Sequence, residues 1–472
     1  MMMGTSTPEQ VLGVRRGRVL TPSGFVEADI RIDEEGTIVA VDPGACEGLP
    51  EDLVLDADGR EVRPGAIDVH VHVDEIQGRF VSREEYLDAA SVARRGGVTT
   101  MAMFATARRG QSIREALVDR ERDVLNFTWH PTHWTWHLTP RAWGPGTWKD
   151  LEELAGLGLT RVKIYTTYRR QGLQVSYDRL RKILPRLAGL GITALVHCED
   201  PEVLARADGT VPPDARPFDH ARLRPPEAET TAIQNVAALS LATGCAVHVV
   251  HVTLPESVDV LLHFREMGAP LTWETGMHYL CFPENVLRSE GSEVLLCTPP
   301  FRHERAVEGL RERVARGQVD LLASDHCPFE LDDKLAGDGD PRRTPMGIPG
   351  VGATAPVAME LLERKWALLS PQGLQRMLSE APARLLGLWP RKGGILPGSD
   401  ADLVVWEERQ TVACGAYWPE VMDPWSMIPI GRVPSHVLLC GQPVLWDGQP
   451  LQEDAGWPLW DNRFVLEQME NP

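Results

Sequence analysis

The chain changes its hydrophobic rhythm twice. Residues 11–62 ("VLGVRRGRVLTP", "EADIRIDEEGTIVAVDP", "DLVLDADGREVRP") alternate apolar and polar positions and break at Gly, Pro, Asp-Gly and Glu-Gly, the pattern of short β-strands joined by turns. From about Gly393 the same style returns in "GGILPGSDADLVVWE" and "VLLCGQPVLWDGQPL". Between these ends, eight short β-branched runs ("AIDVHVH", "VTTMAMFA", "LNFTWHPT", "RVKIYTTY", "TALVHCED", "AVHVVHVT", "PLTWETGM", "LLASDHCPF") are separated by amphipathic stretches such as "SREEYLDAASVARRG", "SYDRLRKILPRLAGLG" and "ETTAIQNVAALSLATG". Strand then helix, eight times over roughly 325 residues, predicts a (β/α)8 TIM barrel. The pattern divides the chain into residues 1–62, 63–390 and 391–472, the outer two meeting in one sheet that brings the ends together. A doubly wound open sheet is the alternative, but no GxGxxG follows the first strand, so its dinucleotide-binding version has no support.

Composition narrows the class. A chain of 472 residues is too long for one ordinary core, in keeping with two structural units. No run of ~18 apolar residues predicts a membrane span. The start "MMMGTSTPEQVLGVRRGRVL" lacks the apolar stretch of a secretory signal. Eight cysteines without a close CxxC pair read as reduced thiols, which places the protein in a cytoplasm. A formal net charge of −19 argues against nucleic acid and anionic membranes as partners and leaves a small molecule in a cleft.

Chemistry-bearing residues fall at the C-terminal ends of the predicted strands, where barrels carry their sites. His70 and His72 in "PGAIDVHVH" share one face of the first strand. Lys163 lies on the fourth, His197 ends the fifth in "LVHCED", His251 ends the sixth in "HVVHVT", and Asp325 ends the eighth in "SDHCPF". Each alone has a plain reading: a hydrogen-bonded core histidine, a helix-capping aspartate, a buried ion-paired lysine. His248, three residues before His251, is expected to face the other way on a regular strand and to be such a core histidine. His326, Cys198 and Cys327 read as supporting or packing residues. Six ionisable groups on one rim of an apolar barrel are costly unless something pairs with them, and two divalent cations would.

These motifs, in this order and over about residues 12–450, resemble the cyclic amidohydrolases: dihydropyrimidinases (hydantoinases), dihydroorotases and allantoinases. The resemblance implies the same barrel, a small β-sandwich made from both ends, a homo-oligomer (tetramer or dimer), and two zinc ions bridged by a Lys163 carboxylated by carbon dioxide. One metal would take His70, His72, Lys163 and Asp325; the other Lys163, His197 and His251. It further implies hydrolysis of a cyclic amide by a metal-bridging hydroxide, with Asp325 as proton shuttle and Tyr168 as donor to the developing oxyanion.

Within the family, "GQSIREAL", "LRPPEAE", "CTPPFR" and "SDHCPFELDDK" resemble the hydantoinase branch, where Thr298 would contact the ring amide. Dihydroorotases typically place an Arg two residues after the second His; here that residue is Asp74, and an acid cannot pair with a carboxylate. Two departures stand out. "TPMGIPGVG" puts Met346 where the branch has Asn, so a substrate contact there would be through backbone. The segments "DEIQGRFVS" and "RRQGLQVS" lack the usual apolar residues. A dihydropyrimidine, a hydantoin or another cyclic ureide all fit. The other classes are a non-catalytic scaffold that has lost metal ligands, disfavoured by the filled ligand positions, and a single-metal deaminase, which would not use the lysine. The 14 tryptophans, several in "YWPEVMDPWSMIP" and "GWPLW", are expected to cover a subunit interface or to pack the terminal sheet onto the barrel.

Overall fold

The computed structural model of the protein describes residues 7–82, 85–413 and 423–470. Eight parallel strands lie in sequence order, each hydrogen-bonded to the next: Ala66–Val71, Val98–Thr106, His133–Thr139, Arg161–Tyr165, Thr193–His197, Val247–Val249, Leu271–Thr275 and Leu321–Leu322. They are called barrel strands one to eight below. The seam between strands eight and one closes through irregular chain. The His72 N–H donates to the His326 carbonyl (2.8 Å) and the His326 N–H to the His70 carbonyl (3.3 Å). The buried Asp68 carboxylate reinforces the seam, accepting from the His70 N–H (3.1 Å) and the Ser324 N–H (3.2 Å).

Amphipathic helices follow the strands, among them Tyr86–Arg95, Ile113–Leu125, Tyr177–Gly189, Pro226–Thr243 and Glu304–Ala315. Each buries its apolar stripe against the barrel wall; in Tyr177–Gly189 this stripe is Leu180, Ile183, Leu184 and Leu187. One strand is displaced from expectation. "LNFTWHPT" is not strand three: Leu125 still belongs to a helix, and Pro131 has no N–H to give a central ladder. The strand is the following run, His133–Thr139, buried along its whole length.

The chain ends join as the periodicity implied. Gly13–Thr21, Gly24–Ile32, Ile38–Asp42, Val54–Asp56 and Glu61–Pro64 share one sheet with Leu403–Ala413, Pro429–Leu439, Gln442–Trp446 and Gln449–Pro450. The junction is antiparallel: Glu61–Pro64 pairs residue by residue with Leu403–Trp406. The sheet curls back on itself, because the Ile38 N–H donates to the Ser399 carbonyl and the Gly398 N–H to the Ile38 carbonyl (both 2.8 Å). Val14, Val19, Ile30, Ile38, Val62, Leu403 and Val405 fill its separate core.

The sheet is pinned to the lower end of the barrel by a buried ionic knot. Lys392, with no exposed side-chain surface, places its ammonium 2.6 Å from Asp402 and 2.8 Å from Asp400. Asp402 also meets His133 Nε2 at the start of strand three (3.2 Å) and the Cys440 N–H (3.0 Å). Trp457 serves the same junction, stacking edge-on against His133 while flanking chain pairs with Trp134. Trp425 instead packs on the loops after strands seven and eight, donating its indole N–H to the Pro349 carbonyl (2.7 Å) beside Phe282. Tyr417 and Trp418, also expected at a packing surface, lie outside the described residues. No described helix is long and apolar enough to cross a membrane.

Replacing Lys392 by Met leaves Asp402 buried without its cation. The expected loss is about 3–5 kcal/mol of stability, the cost of breaking a buried pair from one side. The midpoint of urea unfolding checks it, and an unshifted midpoint would show that the knot holds nothing.

Candidate metal centre at the barrel mouth

The expected donors converge at the C-terminal rim. His70 and His72 leave strand one on its inner face, Lys163 lies mid-strand on strand four, His197 ends strand five, and His251 and Asp325 follow strands six and eight. Asp325 Oδ1 lies 3.1 Å from His70 Nε2 and 3.5 Å from His72 Nε2. Lys163 Nζ is 3.3 Å from His70 Nε2. Across the rim, His197 Nδ1 faces His251 Nε2 at 2.8 Å. The near edges of His70, His72 and Asp325 all fall within 4.8 Å of one another. Tetrahedral donors on bonds of about 2.0–2.1 Å stand roughly 3.3 Å apart, so the separations around Asp325 suit a cation held by His70, His72 and Asp325, while His197 and His251 stand closer together.

Some buried polar atoms here lack a hydrogen-bond partner: the Thr298 hydroxyl oxygen, and His72 Nδ1 and His251 Nδ1, the ring nitrogens opposite the Nε2 atoms that face the other donors. The donors open into a cleft of about 1650 Å³ lined also by Tyr168, Thr298 and Met346. A second cluster of ligand-type residues, His133, Asp402 and Cys440, lies at the opposite end of the barrel. Its acceptor already carries the Lys392 ammonium.

The backbone is strained where the site needs it. His251 (φ 41°), Asp325 (φ 49°) and Tyr168 (φ 67°) all adopt left-handed conformations that cost an L side chain energy. At His251 this overturns the expectation for its neighbour. Regular pairing of strand six stops at Val249, and the turn after it removes the alternation that would put His248 and His251 on opposite faces. His248 is a buried, hydrogen-bonded histidine as expected, yet its partner Glu274 also touches His70.

The electrostatics follow from burial set against pairing. Burial lowers the Lys163 pKa to about 8, against the opposing pull of Asp325, Glu274 and Glu75. The amine is thus far easier to deprotonate than a surface lysine. Burial also holds His70, His197 and His251 below the usual imidazole range, so they stay neutral and able to ligate. At His72 burial is outweighed by Asp325 and Glu75, and its pKa rises. Burial alone would raise the Asp325 carboxyl; His70, His72 and Lys163 reverse this and hold it well below the usual range. Burial pushes the Tyr168 phenol upward, which keeps it a hydrogen-bond donor.

Three carboxylates of the site are not among the expected residues. Glu274 Oε1 meets His70 Nδ1 at 2.5 Å, Glu199 Oε2 meets His197 Nε2 at 2.7 Å, and Glu75 Oε2 approaches His72 Nδ1 at 3.6 Å. The sequence signal for two of them was present: an acid inside the buried run "LTWET", and an acid two residues past a strand-end histidine. Two other residues singled out in the sequence have partners of their own. Asp74 turns to Arg120 (3.4 Å) and is not part of the cleft wall. Met346 offers its backbone N–H and carbonyl to Gln77 (2.9 and 2.7 Å), so a substrate contact there is left to the carbonyl's second lone pair.

Comparison with known proteins agrees with this geometry. Residues 62–419 match the Amidohydrolase family. The D-hydantoinase of Rhizobium radiobacter is 29% identical over 445 residues, covering 92% of this chain and 95% of the relative. Among solved structures, the D-hydantoinase (dihydropyrimidinase) from Thermus sp. superposes with a TM-score of 0.88 at 25% identity, covering 95% of this chain and 98% of that one. The dihydropyrimidinase from Brevibacillus agri NCHU1002 gives 0.87 at 26%, with the same coverage. The chain belongs to the amidohydrolase family, and within it resembles the hydantoinases and dihydropyrimidinases.

Proposed function

We propose that this protein hydrolyses the amide C–N bond of a dihydropyrimidine, a hydantoin or a related cyclic ureide. The observation that carries the reading is the convergence of His70, His72, Lys163, His197, His251 and Asp325 on one open cleft. Similarity to D-hydantoinases along nearly the whole chain supports the choice of substrate class.

The donor set suits two divalent cations, zinc by its imidazole and carboxylate ligands. His70, His72, Lys163 and Asp325 would hold one; Lys163, His197 and His251 the other. When bound, such a pair supplies a hydroxide nucleophile from water near neutral pH and polarises the substrate carbonyl. For Lys163 to serve both poles it must become an anion. Its free amine adds to carbon dioxide: a C–N bond forms, one proton leaves, and the resulting carbamate has two oxygens to share. The low basicity that burial imposes on Lys163 favours that free amine.

The remaining work belongs to the chain. Ring opening adds the elements of water across the C–N bond, hydroxyl to carbon and hydrogen to nitrogen. Asp325 takes the proton from the attacking water and delivers it to the leaving ring nitrogen. Tyr168, its ring 5.1 Å from that of His197, donates its phenolic hydrogen to the carbonyl oxygen as negative charge builds there. The unpartnered Thr298 hydroxyl takes up a ring amide group. Filled ligand positions speak against a scaffold, and the buried Lys163 beside His70 against a single-metal deaminase.

The deciding experiment offers dihydrouracil, hydantoin, dihydroorotate and allantoin side by side, with zinc and bicarbonate supplied. Ring opening of dihydrouracil or hydantoin is expected. Turnover of dihydroorotate or allantoin alone would move the protein to another branch, and neither turnover nor bound metal would revive the scaffold. Lys163→Ala should bind less than two metals per chain and open no ring; two metals with wild-type turnover would remove the carbamate bridge. Metal-stripped protein given zinc should regain activity only with bicarbonate, and faster as the pH rises toward 8, where Lys163 loses its proton. Equal recovery in bicarbonate-free buffer would argue against carboxylation.

A further inference from the structure

Strand seven gives no member of the six-donor set, yet its Glu274 lies at the centre of the site's hydrogen bonding. The side chain is almost wholly buried (1% exposed). Oε1 accepts from His70 Nδ1 (2.5 Å) and from the backbone N–H of His251 (3.3 Å). Oε2 accepts from His248 Nε2 (3.0 Å), whose other ring nitrogen, Nδ1, faces the Thr272 hydroxyl at 2.8 Å. One carboxylate therefore touches the side chain of one rim histidine, the strained backbone of another, and a third histidine that reaches no donor of the rim.

The geometry points to Glu274 as a positioning residue for the metal pair, fixing the His70 tautomer and the His251 backbone, with His248 as its own anchor. This rests on the two-metal reading above. Three observations carry it. First, a proton held on His70 Nδ1 by a carboxylate leaves the Nε2 lone pair facing Lys163 and Asp325, the direction a ligand must present. Second, the His251 backbone sits at φ 41°, and the Glu274 contact is a hydrogen bond that this conformation can make. Third, among the described residues the hydrogen-bond partners of Glu274 are three N–H groups and include no arginine or lysine. Glu199, the corresponding acid behind His197, instead has the Arg224 guanidinium at 2.5 Å. The charge of Glu274 is thus shared between His70, His248 and the His251 N–H without a guanidinium or ammonium bound to it, and at His70 it makes the imidazole a stronger ligand.

The test is zinc binding by the full chain, read by chelator competition, for wild type and Glu274→Gln. Gln keeps an acceptor for His70 and removes the charge. A 10- to 100-fold loss of zinc affinity is expected, the usual effect of removing a partner behind a metal ligand. Cobalt(II) substitution gives a second readout: at saturation, the visible bands of the variant should shift. A residue that only stabilises the fold would lower the melting midpoint of the metal-free protein and leave those bands in place. Unchanged affinity and bands overturn the inference while leaving the two-metal reading standing; failure of the unaltered chain to take up zinc overturns both. If Glu274→Gln does not fold, His248→Gln decides by the same titration. It keeps every donor and Glu274 itself, so a several-fold weakening supports the relay and wild-type affinity rejects it.

Discussion

The rest of the structure answers one constraint: ionisable groups removed from water must each find a partner. The rim of this barrel buries four imidazoles, an amine and several carboxylates within a few ångströms, at a point where an unpaired charge would cost more than most single contacts return. The fold meets the demand in pairs. Glu274 stands behind His70, Glu199 and Arg224 behind His197, and Asp325 between His70, His72 and Lys163. The strained backbones at His251, Asp325 and Tyr168 are part of the same answer. Such conformations persist only where neighbours over-determine them, and each of these residues follows a barrel strand that cannot shift without breaking the ladder.

The pairing constraint also explains what could be read from the residues alone. A histidine or lysine in an otherwise apolar strand is conspicuous, so the placement of His70, His72, Lys163, His197 and His251 along the barrel strands was legible in the sequence, with Asp325 past the last of them. The alternation of the terminal segments likewise announced a sheet made from both ends. Features that depend on where a strand stops were not legible. Strand three begins at His133 because Pro131 cannot join a ladder, although "LNFTWHPT" has suitable composition. The parity of His248 and His251 fails because regular pairing ends between them. Glu75 was missed because an acid in a loop is common on any surface; Glu199 and Glu274 stood beside or within strand runs, but only the fold reveals which histidines they face.

The walls of the cleft depart from the pattern more than its floor does. Gln77 clamps the Met346 backbone at both its N–H and its carbonyl, joining the segment after strand one to the loop that follows strand eight. Arg141 donates to the Gln171 carbonyl, and Arg109 to the Arg170 carbonyl (3.3 Å), steadying the chain after strand four. Where side chains of this kind replace apolar ones, the walls offer hydrogen bonds and charge to whatever projects from a bound ring. Floor and walls come from different segments of the chain, so the two can vary separately on one barrel.

The sheet shared by the two chain ends has a consequence for how the molecule comes into being. Pro64 pairs with Leu403, so the strand that leads into the barrel waits for a partner roughly 340 residues further on. At a synthesis rate of about 5–20 residues per second, that interval lasts on the order of 20 seconds to a minute. Throughout it, Glu61–Pro64 presents an open strand edge, and Val14, Val19 and Ile30 lack the half of their core that Leu403 and Val405 later bring. A nascent chain of this design is exposed to mispairing until Leu403–Trp406 emerge, and a holding chaperone at the segment around Glu61–Pro64 would find its binding site open throughout that interval.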